Sequence, residues 1–233
     1  TYQTQIMLNK KSFLLIGNSR WHWAIKKKNE WEFFHTKPNT KKPDEIDSSL
    51  LKWSAVGRIP TNNYLLNCNK ITLEDIPLKN IPAWLGIDRA LAAFAAKSKI
   101  SNIKIDDKNI LIVDAGTILS ITLITQKGEF LGGQLVGGFK LQISAMANRA
   151  YNLDHYKIDD NVTNEFFPKR TKDSMVRGSL NALLGLIIES YKQTRSPILI
   201  CGGDSNLIYK ELKNKDINVY IYPNLVLEGM INL

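Results

Sequence analysis

Residues 110–117 read Ile-Leu-Ile-Val-Asp-Ala-Gly-Thr, and residues 13–19 read Phe-Leu-Leu-Ile-Gly-Asn-Ser. In each, an unbroken aliphatic run stops at a glycine followed by a small polar residue. Such a run suits a short strand buried on both faces, and the glycine marks an abrupt turn. Aligning Gly17 with Gly116 places Asn18 on Thr117 and Leu15 on Asp114. The stretches beyond also correspond. Trp21–Ile25 and Ile118–Thr125 read as second strands, and lysine-containing turns lead into Trp31–Phe34 and Glu129–Leu131. The chain is therefore expected to repeat strand–turn–strand–turn–strand, helix, strand, helix. That gives two α/β lobes of mixed sheets, residues 1–100 and 101–233, facing each other across a cleft.

The other elements follow from period and punctuation. A short helix is predicted over Glu45–Lys52 behind Asp44, then a strand at Trp53–Val56 closed by Gly57, then an irregular stretch from Pro60 to Pro82. Ile87, Leu91, Phe94 and Ala95 recur at helical spacing, which predicts a helix from Ile87 to Lys99. Gly132-Gly133 reads as the end of the third strand of the second half, and a helix is expected from Gly138 to Arg149. A long helix over Lys172–Lys192 carries Val176, Leu180, Leu183, Leu184, Ile187 and Tyr191 on one stripe. Strand Ile198–Cys201 runs into Gly202-Gly203-Asp204, followed by a helix over Asn206–Lys213, a strand over Val219–Tyr222 and a helix from Leu225.

Composition excludes several classes. The 233 residues are 44% hydrophobic and 23% charged, too apolar and too evenly charged for a disordered chain. The 2 cysteines, Cys68 and Cys201, make neither a disulfide framework nor a four-ligand zinc site, so a reducing, cytoplasmic setting is expected. The longest apolar stretch, Leu183–Ile188, is far short of the ~20 residues of a membrane span. Thr1–Lys11 is polar and lacks the apolar core of a secretory signal, so neither a membrane nor an export route is expected. The net charge is +9, but lysine dominates arginine, and the densest run, Lys26-Lys27-Lys28, sits at a hairpin tip. A solvated turn is the expectation there, and no nucleic-acid partner.

Chemistry is most legible at the turns. In Gly17-Asn18-Ser19 and Gly116-Thr117 the missing Cβ lets backbone N–H groups approach an anion, with a hydroxyl or amide beside them. An ordinary hairpin turn would read the same, but two in matching positions could grip a polyphosphate. Asp114 ends a buried strand, where a carboxylate needs a hydrogen bond or a cation, so it is either a turn cap or a metal ligand. In Leu85-Gly86-Ile87-Asp88-Arg89, Asp88 can cap a helix, and Arg89 offers a planar fork for a carboxylate or phosphate beside a helix N-terminus. Gly202-Gly203-Asp204 suits either a plain strand-to-helix loop or close approach to a ligand. His22, His35 and His155 show neither metal nor triad spacing and are expected on the surface or in packing.

These pieces resemble, in order, the motifs of type III pantothenate kinases, members of the acetate and sugar kinase/heat-shock chaperone/actin superfamily. Ile16-Gly17-Asn18-Ser19-Arg20 resembles the first phosphate motif Asp-x-Gly-Asn-Thr, and Gly86-Ile87-Asp88-Arg89 matches Gly-x-Asp-Arg. Asp114-Ala115-Gly116-Thr117 matches the second Asp-x-Gly-Thr, and the stretch 132–138 resembles Gly-Gly-x-Ile-x-Pro-Gly. Thr171 falls where the family has a substrate-contacting threonine, and the stretches 200–204 and 223–229 resemble its C-terminal signatures.

The resemblance implies a duplicated, two-lobe actin-like ATPase fold of ribonuclease-H-like mixed sheets. It also implies ATP-dependent phosphorylation of pantothenate, on the route to coenzyme A, in a homodimer. Asp88 would be the general base; Gly86, Ile87, Arg89 and Thr171 would hold pantothenate; Gly17, Asn18, Ser19, Arg20, Gly116 and Thr117 would hold ATP. Asp114 would bind a monovalent cation, K+ or NH4+, with Mg2+ accompanying ATP. A helix-start aspartate is expected to have a low pKa. Three positions depart from the pattern: Leu15 stands where the first motif has Asp, Gly137 replaces Pro, and Lys79 falls where a pantothenate-contacting Tyr is expected, with Trp84 near enough to serve as an apolar wall.

Overall fold

A computed structural model describes residues 11–61, 65, 68–101, 109–150, 153 and 162–233. His155 lies outside them. Two five-stranded sheets organise the described residues. The first contains β1 (Ser12–Ile16), β2 (Trp21–Lys27), β3 (Glu30–Thr36), β4 (Leu51–Ala55) and β5 (Asn69–Lys70), in the order β3-β2-β1-β4-β5. The second contains β6 (Asn109–Ala115), β7 (Ile118–Thr125), β8 (Phe130–Gly137), β9 (Ile198–Cys201) and β10 (Val219–Ile221), in the order β10-β9-β6-β7-β8. Read from its antiparallel edge, the second is β8-β7-β6-β9-β10, with the topology of the first. In both, the first strand pairs antiparallel with the hairpin and parallel with the strand that returns later. The predicted duplication is therefore present in the wiring of the sheets.

The helices are α1 (Ile87–Ser101), α2 (Phe139–Arg149), α3 (Thr171–Thr194), α4 (Ser205–Leu212) and α5 (Leu225–Ile231). Among the described residues, no helix is long and apolar enough to cross a membrane. The chain divides into two compact units, residues 1–95 with 224–233, and residues 96–223. Residues 224–233, expected to belong to the second lobe, group with the first unit.

β1 is buried along all five residues, as a central aliphatic strand should be. Leu14, Ile16, Trp21, Trp23, Ile25, Leu51 and Trp53 form a core on one of its faces. On α1, Ala90, Ala92, Ala93, Ala95 and Ala96 are all buried, and short side chains let neighbouring backbone come close. α5 does so: a Cβ on Gly229 would stand 2.2 Å from the Leu91 carbonyl oxygen. In the second unit the stripe Val176, Leu180, Leu183, Leu184 and Ile187 of α3 packs with Leu111, Val113, Ile121, Ile198 and Ile200 of the sheet. α3 ends where Arg195 turns left-handed, at φ 52°, its N–H reaching the Tyr191 carbonyl.

Three local expectations need correction. Glu45–Lys52 is not a helix: Asp47 caps a single 3-10 turn, Ser48–Leu50, and Leu51 already begins β4. The ladder against β1 holds Leu51 and Trp53 extended, overriding the local cap signal. Gly132-Gly133 does not end β8; the strand continues to Gly137 across a bulge, with Gly132 at φ +130°. A glycine in that backbone region absorbs a bulge that another residue would resist. Thr171 lies inside the long helix as its first residue, with Arg170 as the cap.

The lysine run is the expected hairpin tip, with Lys28 at φ 54°. Lys27 pairs with Glu32 and with Glu45, and Lys26 lies over the Trp31 ring, so two of these cations have partners in their own unit.

Candidate active site

In the second unit, three turns meet at the end of β6. Asp114 sits between Ser120 of β7 and Cys201 of β9 in the sheet register. A Cβ on Gly202 would lie 2.4 Å from the Asp114 carboxylate and 2.7 Å from the Ala115 carbonyl, and Gly202 is at φ +90°. Only glycine fits there. Gly138 donates its N–H to the Thr117 carbonyl at 2.9 Å, and a Cβ on it would stand 2.0 Å from the Gly116 carbonyl oxygen. Asp204 donates its N–H to the Ala115 carbonyl, and Lys140 Nζ stands 3.9 Å from Asp204 Oδ1. Among the described residues, the sequence thus places the Asp114 and Asp204 carboxylates, a Gly-Thr turn, two closely apposed glycine backbones and Lys140 around a strand end. Lys140 carried no motif signal in the sequence; its place is set by the first turn of α2.

In the first unit, Gly17 closes the β1–β2 turn by donating to the Arg20 carbonyl at 3.0 Å. Gly57 follows β4 so closely that a Cβ on it would stand 2.3 Å from the Gly17 carbonyl oxygen. Leu15 is buried between His22 of β2 and Ser54 of β4. Its register place matches that of Asp114 in the other sheet, as the alignment of the two halves implied. Asn18, Ser19 and Arg20 are exposed on the turn.

Gly86, Ile87, Asp88 and Arg89 come together at the start of α1. A Cβ on Gly86 would meet Asp88 Oδ1 at 2.6 Å, so this glycine makes room for the carboxylate. Oδ1 accepts the Arg89 N–H at 2.8 Å. Burial pushes the Asp88 pKa above its usual 3.8, outweighing the Arg89 N–H and guanidinium, which favour the charged form. The low value expected of a helix-start aspartate is therefore corrected: desolvation overrides the helix terminus. Arg89 is buried, and burial lowers its pKa while the Asp88 charge opposes that. Trp84 is 74% exposed just ahead of this segment, and Thr171 is exposed at the start of α3.

Among the described residues, no group of three or more His, Cys, Asp or Glu could by itself hold a metal ion. Asp114 is a single carboxylate, a donor set that fits an ion held mainly by nucleotide phosphates.

His22 and His35, expected on the surface or in packing, pack against each other, with His35 exposed. His22 Nδ1 and His35 Nδ1 are 2.9 Å apart across the β2–β3 hairpin. The two-residue turn at Lys28-Asn29 dictates that pairing, so register was the signal that residue spacing missed. Burial, then His35, then Arg20 lower the His22 pKa from 6.5 to about 4, and burial and Arg20 also lower that of His35. A depressed histidine leaves stability intact above pH 6.5, where both states are neutral. As pH falls toward 4, only the unfolded chain takes the proton. With solvent reaching part of the ring, roughly 2 kcal/mol should be lost over that window. Urea unfolding at pH 7 and pH 4.5 checks this: His22→Gln should lose distinctly less than wild type.

A family model of type III pantothenate kinases matches residues 69–193. A type III pantothenate kinase from Synechococcus sp. (strain JA-3-3Ab) is 29% identical over 93% of this chain and 88% of its own length. Those of Thermosynechococcus vestitus and Flavobacterium johnsoniae are 28% identical (86% of this chain, 80% of that protein) and 27% identical (94% and 91%). A solved structure from Campylobacter jejuni, described as a Baf family transcriptional activator, is 21% identical and covers 95% of this chain and 96% of its own. Its TM-score of 0.64 speaks for a shared fold. With two mixed sheets of one topology flanked by helices, its motif turns at the strand ends and more than half its length matched by the family model, the chain belongs to the type III pantothenate kinase family of enzymes.

Proposed function

We propose that the chain transfers the γ-phosphoryl group of ATP to the primary hydroxyl of pantothenate, giving 4'-phosphopantothenate and ADP, the first step of coenzyme A biosynthesis. The observation that carries this reading is the start of α1, where a carboxylate of raised proton affinity is pinned beside a buried guanidinium. Asp88 takes the hydroxyl proton while the oxygen bonds to the γ-phosphorus and the bridging P–O bond breaks, its electrons leaving with ADP. Positioning and charge neutralisation dominate such a step, so a carboxylate need be only modestly basic. Gly86, Ile87 and Arg89 hold pantothenate, the guanidinium fork suiting its carboxylate. Thr171 adds a hydroxyl contact, reaching a second copy in a homodimer.

N–H groups and side chains of the Gly17-Asn18-Ser19-Arg20 and Gly116-Thr117 turns bind phosphate oxygens. Asp114 is the residue to hold a monovalent cation, K+ or NH4+, and Mg2+ bound to ATP offsets phosphate charge. The setting is cytoplasmic.

Purified protein should release ADP only when pantothenate and a monovalent cation are both present; no release across a range of salts would refute the reading. Leu15, buried and unable to ligate anything, supports a second reading: a nucleotide-binding relative with weakened turnover. Saturable ATP binding without phosphopantothenate, and a sharp rate increase in Leu15→Asp, would favour it. Turnover of a different alcohol in a substrate panel would reassign the acceptor alone.

A further inference from the structure

The place that Asp114 occupies in the second sheet is held in the first by the apolar Leu15, flanked in register by His22 of β2 and Ser54 of β4. Ser54, Leu15, His22 and His35 are register partners across β4, β1, β2 and β3, at the end of the sheet where Gly17 turns. Directly opposed residues of an antiparallel pair project from the same face, so Leu15, His22 and His35 share one side. The Ser54 hydroxyl is already committed, donating to the Ile71 carbonyl at 3.0 Å. The His22 ring lies under the turn: its Nε2 is 3.3 Å from where a Gly17 Cβ would be, and its Nδ1 meets His35 Nδ1 at 2.9 Å.

Two ring nitrogens at that distance share one proton, one ring donating and the other accepting. Burial and mutual repulsion, with Arg20 adding its charge, keep the pair neutral near pH 7. When His35 donates, the remaining proton of His22 is on Nε2, on the side of the Gly17–Arg20 turn. The opposite tautomer would present a lone pair to that turn, which an anion disfavours. A bound phosphate therefore selects the first arrangement, and the ring becomes an N–H donor in the company of the Arg20 charge.

We infer that His22, oriented by His35, is the phosphate-binding donor of the first turn and compensates for the apolar residue at position 15. This rests on the proposed ATP-dependent reaction and adds two residues to it: His22 in contact with the nucleotide, and His35 as a positioning residue. A carboxylate reaches phosphate only through a metal, whereas an imidazole N–H reaches it directly. ATP binding at this turn should therefore survive chelation of divalent ions better than a carboxylate site would.

The test is ATP titration by calorimetry, without pantothenate, with Mg2+ and then with EDTA. His22→Asn keeps a polar partner for His35 but cannot reach the Nε2 position; His22→Gln places an amide N–H there. A hydrogen bond to a charged group corresponds to about tenfold or more in affinity. His22→Asn should weaken ATP at least tenfold, His22→Gln should stay within about threefold of wild type, and the pantothenate KM should hold in both. His35→Ala should weaken ATP severalfold, with rescue by His35→Asn. Circular dichroism confirms that each variant is folded, and the conservative Asn and Gln pair keeps the comparison readable if a larger change unfolds the hairpin. Equal ATP affinity in the Asn and Gln variants, or no ATP binding by wild type, would overturn the inference. Loss of pantothenate turnover with these ATP affinities as stated would remove the proposed substrate and leave His22 in place.

Discussion

Asp88→Asn is expected to lower kcat by at least 100-fold while ATP still binds with near wild-type affinity. Positioned proton transfer typically contributes ~10²–10⁴-fold, and asparagine keeps the shape but cannot accept a proton. The same variant separates catalysis from capping. Were the carboxylate chiefly a stabilising cap, its loss would lower the melting temperature. A raised pKa signals the reverse: the fold disfavours the charged form, an effect absent at acid pH and fully felt once pH rises above the folded pKa. Asp88→Asn should therefore melt no lower than wild type at pH 7. In the wild-type enzyme the acid limb of kcat/KM should lie above the ordinary aspartate value of 3.8. A stable variant with full turnover would exclude Asp88 as the base.

Gly202→Ala should carry the largest structural penalty. Its φ of +90° is a region that side chains strain to occupy, and the new methyl would meet both the Asp114 carboxylate and the Ala115 carbonyl well inside contact distance. The Asp114 carboxylate could swing aside, but the Ala115 carbonyl is backbone of the central strand and cannot. The loss should be about 3 kcal/mol or more, roughly 6–12 °C in melting temperature, with weaker nucleotide binding because Asp114 is displaced. Gly185, in the middle of α3, is the control: a Cβ there meets nothing within 4 Å, so Gly185→Ala should be neutral or stabilising in a thermal melt.

Elements whose burial and local preference agree were legible in the sequence. Ile118–Thr125 and Ile198–Cys201 are strands over the predicted bounds, and Ile87 starts its helix, because aliphatic runs and helical periods met no competing pattern. Errors arose where distant chain decides. Glu45–Lys52 looks helical by itself, yet β1 holds Leu51 and Trp53 extended. The glycines of β8 look like a stop until β7 supplies the ladder across them. The motif segments were placed at the turns and helix start where they occur, but the Asp88 environment was not legible, since burial is a property of surrounding chain rather than of a helix position. The histidine pair was within reach, because one correctly placed turn fixes which residues face each other.

Residues 224–233 belong with the first sheet, where α5 packs against β1 and β2 with Leu225, Leu227 and Met230 buried. They are synthesised after every residue of the intervening unit. On the ribosome, then, the unit that begins first must wait longest for its closing helix, while residues 96–223 form a contiguous body free to fold ahead of it. Until that helix emerges, the aliphatic surface it covers on β1 is open to chaperones and to aggregation.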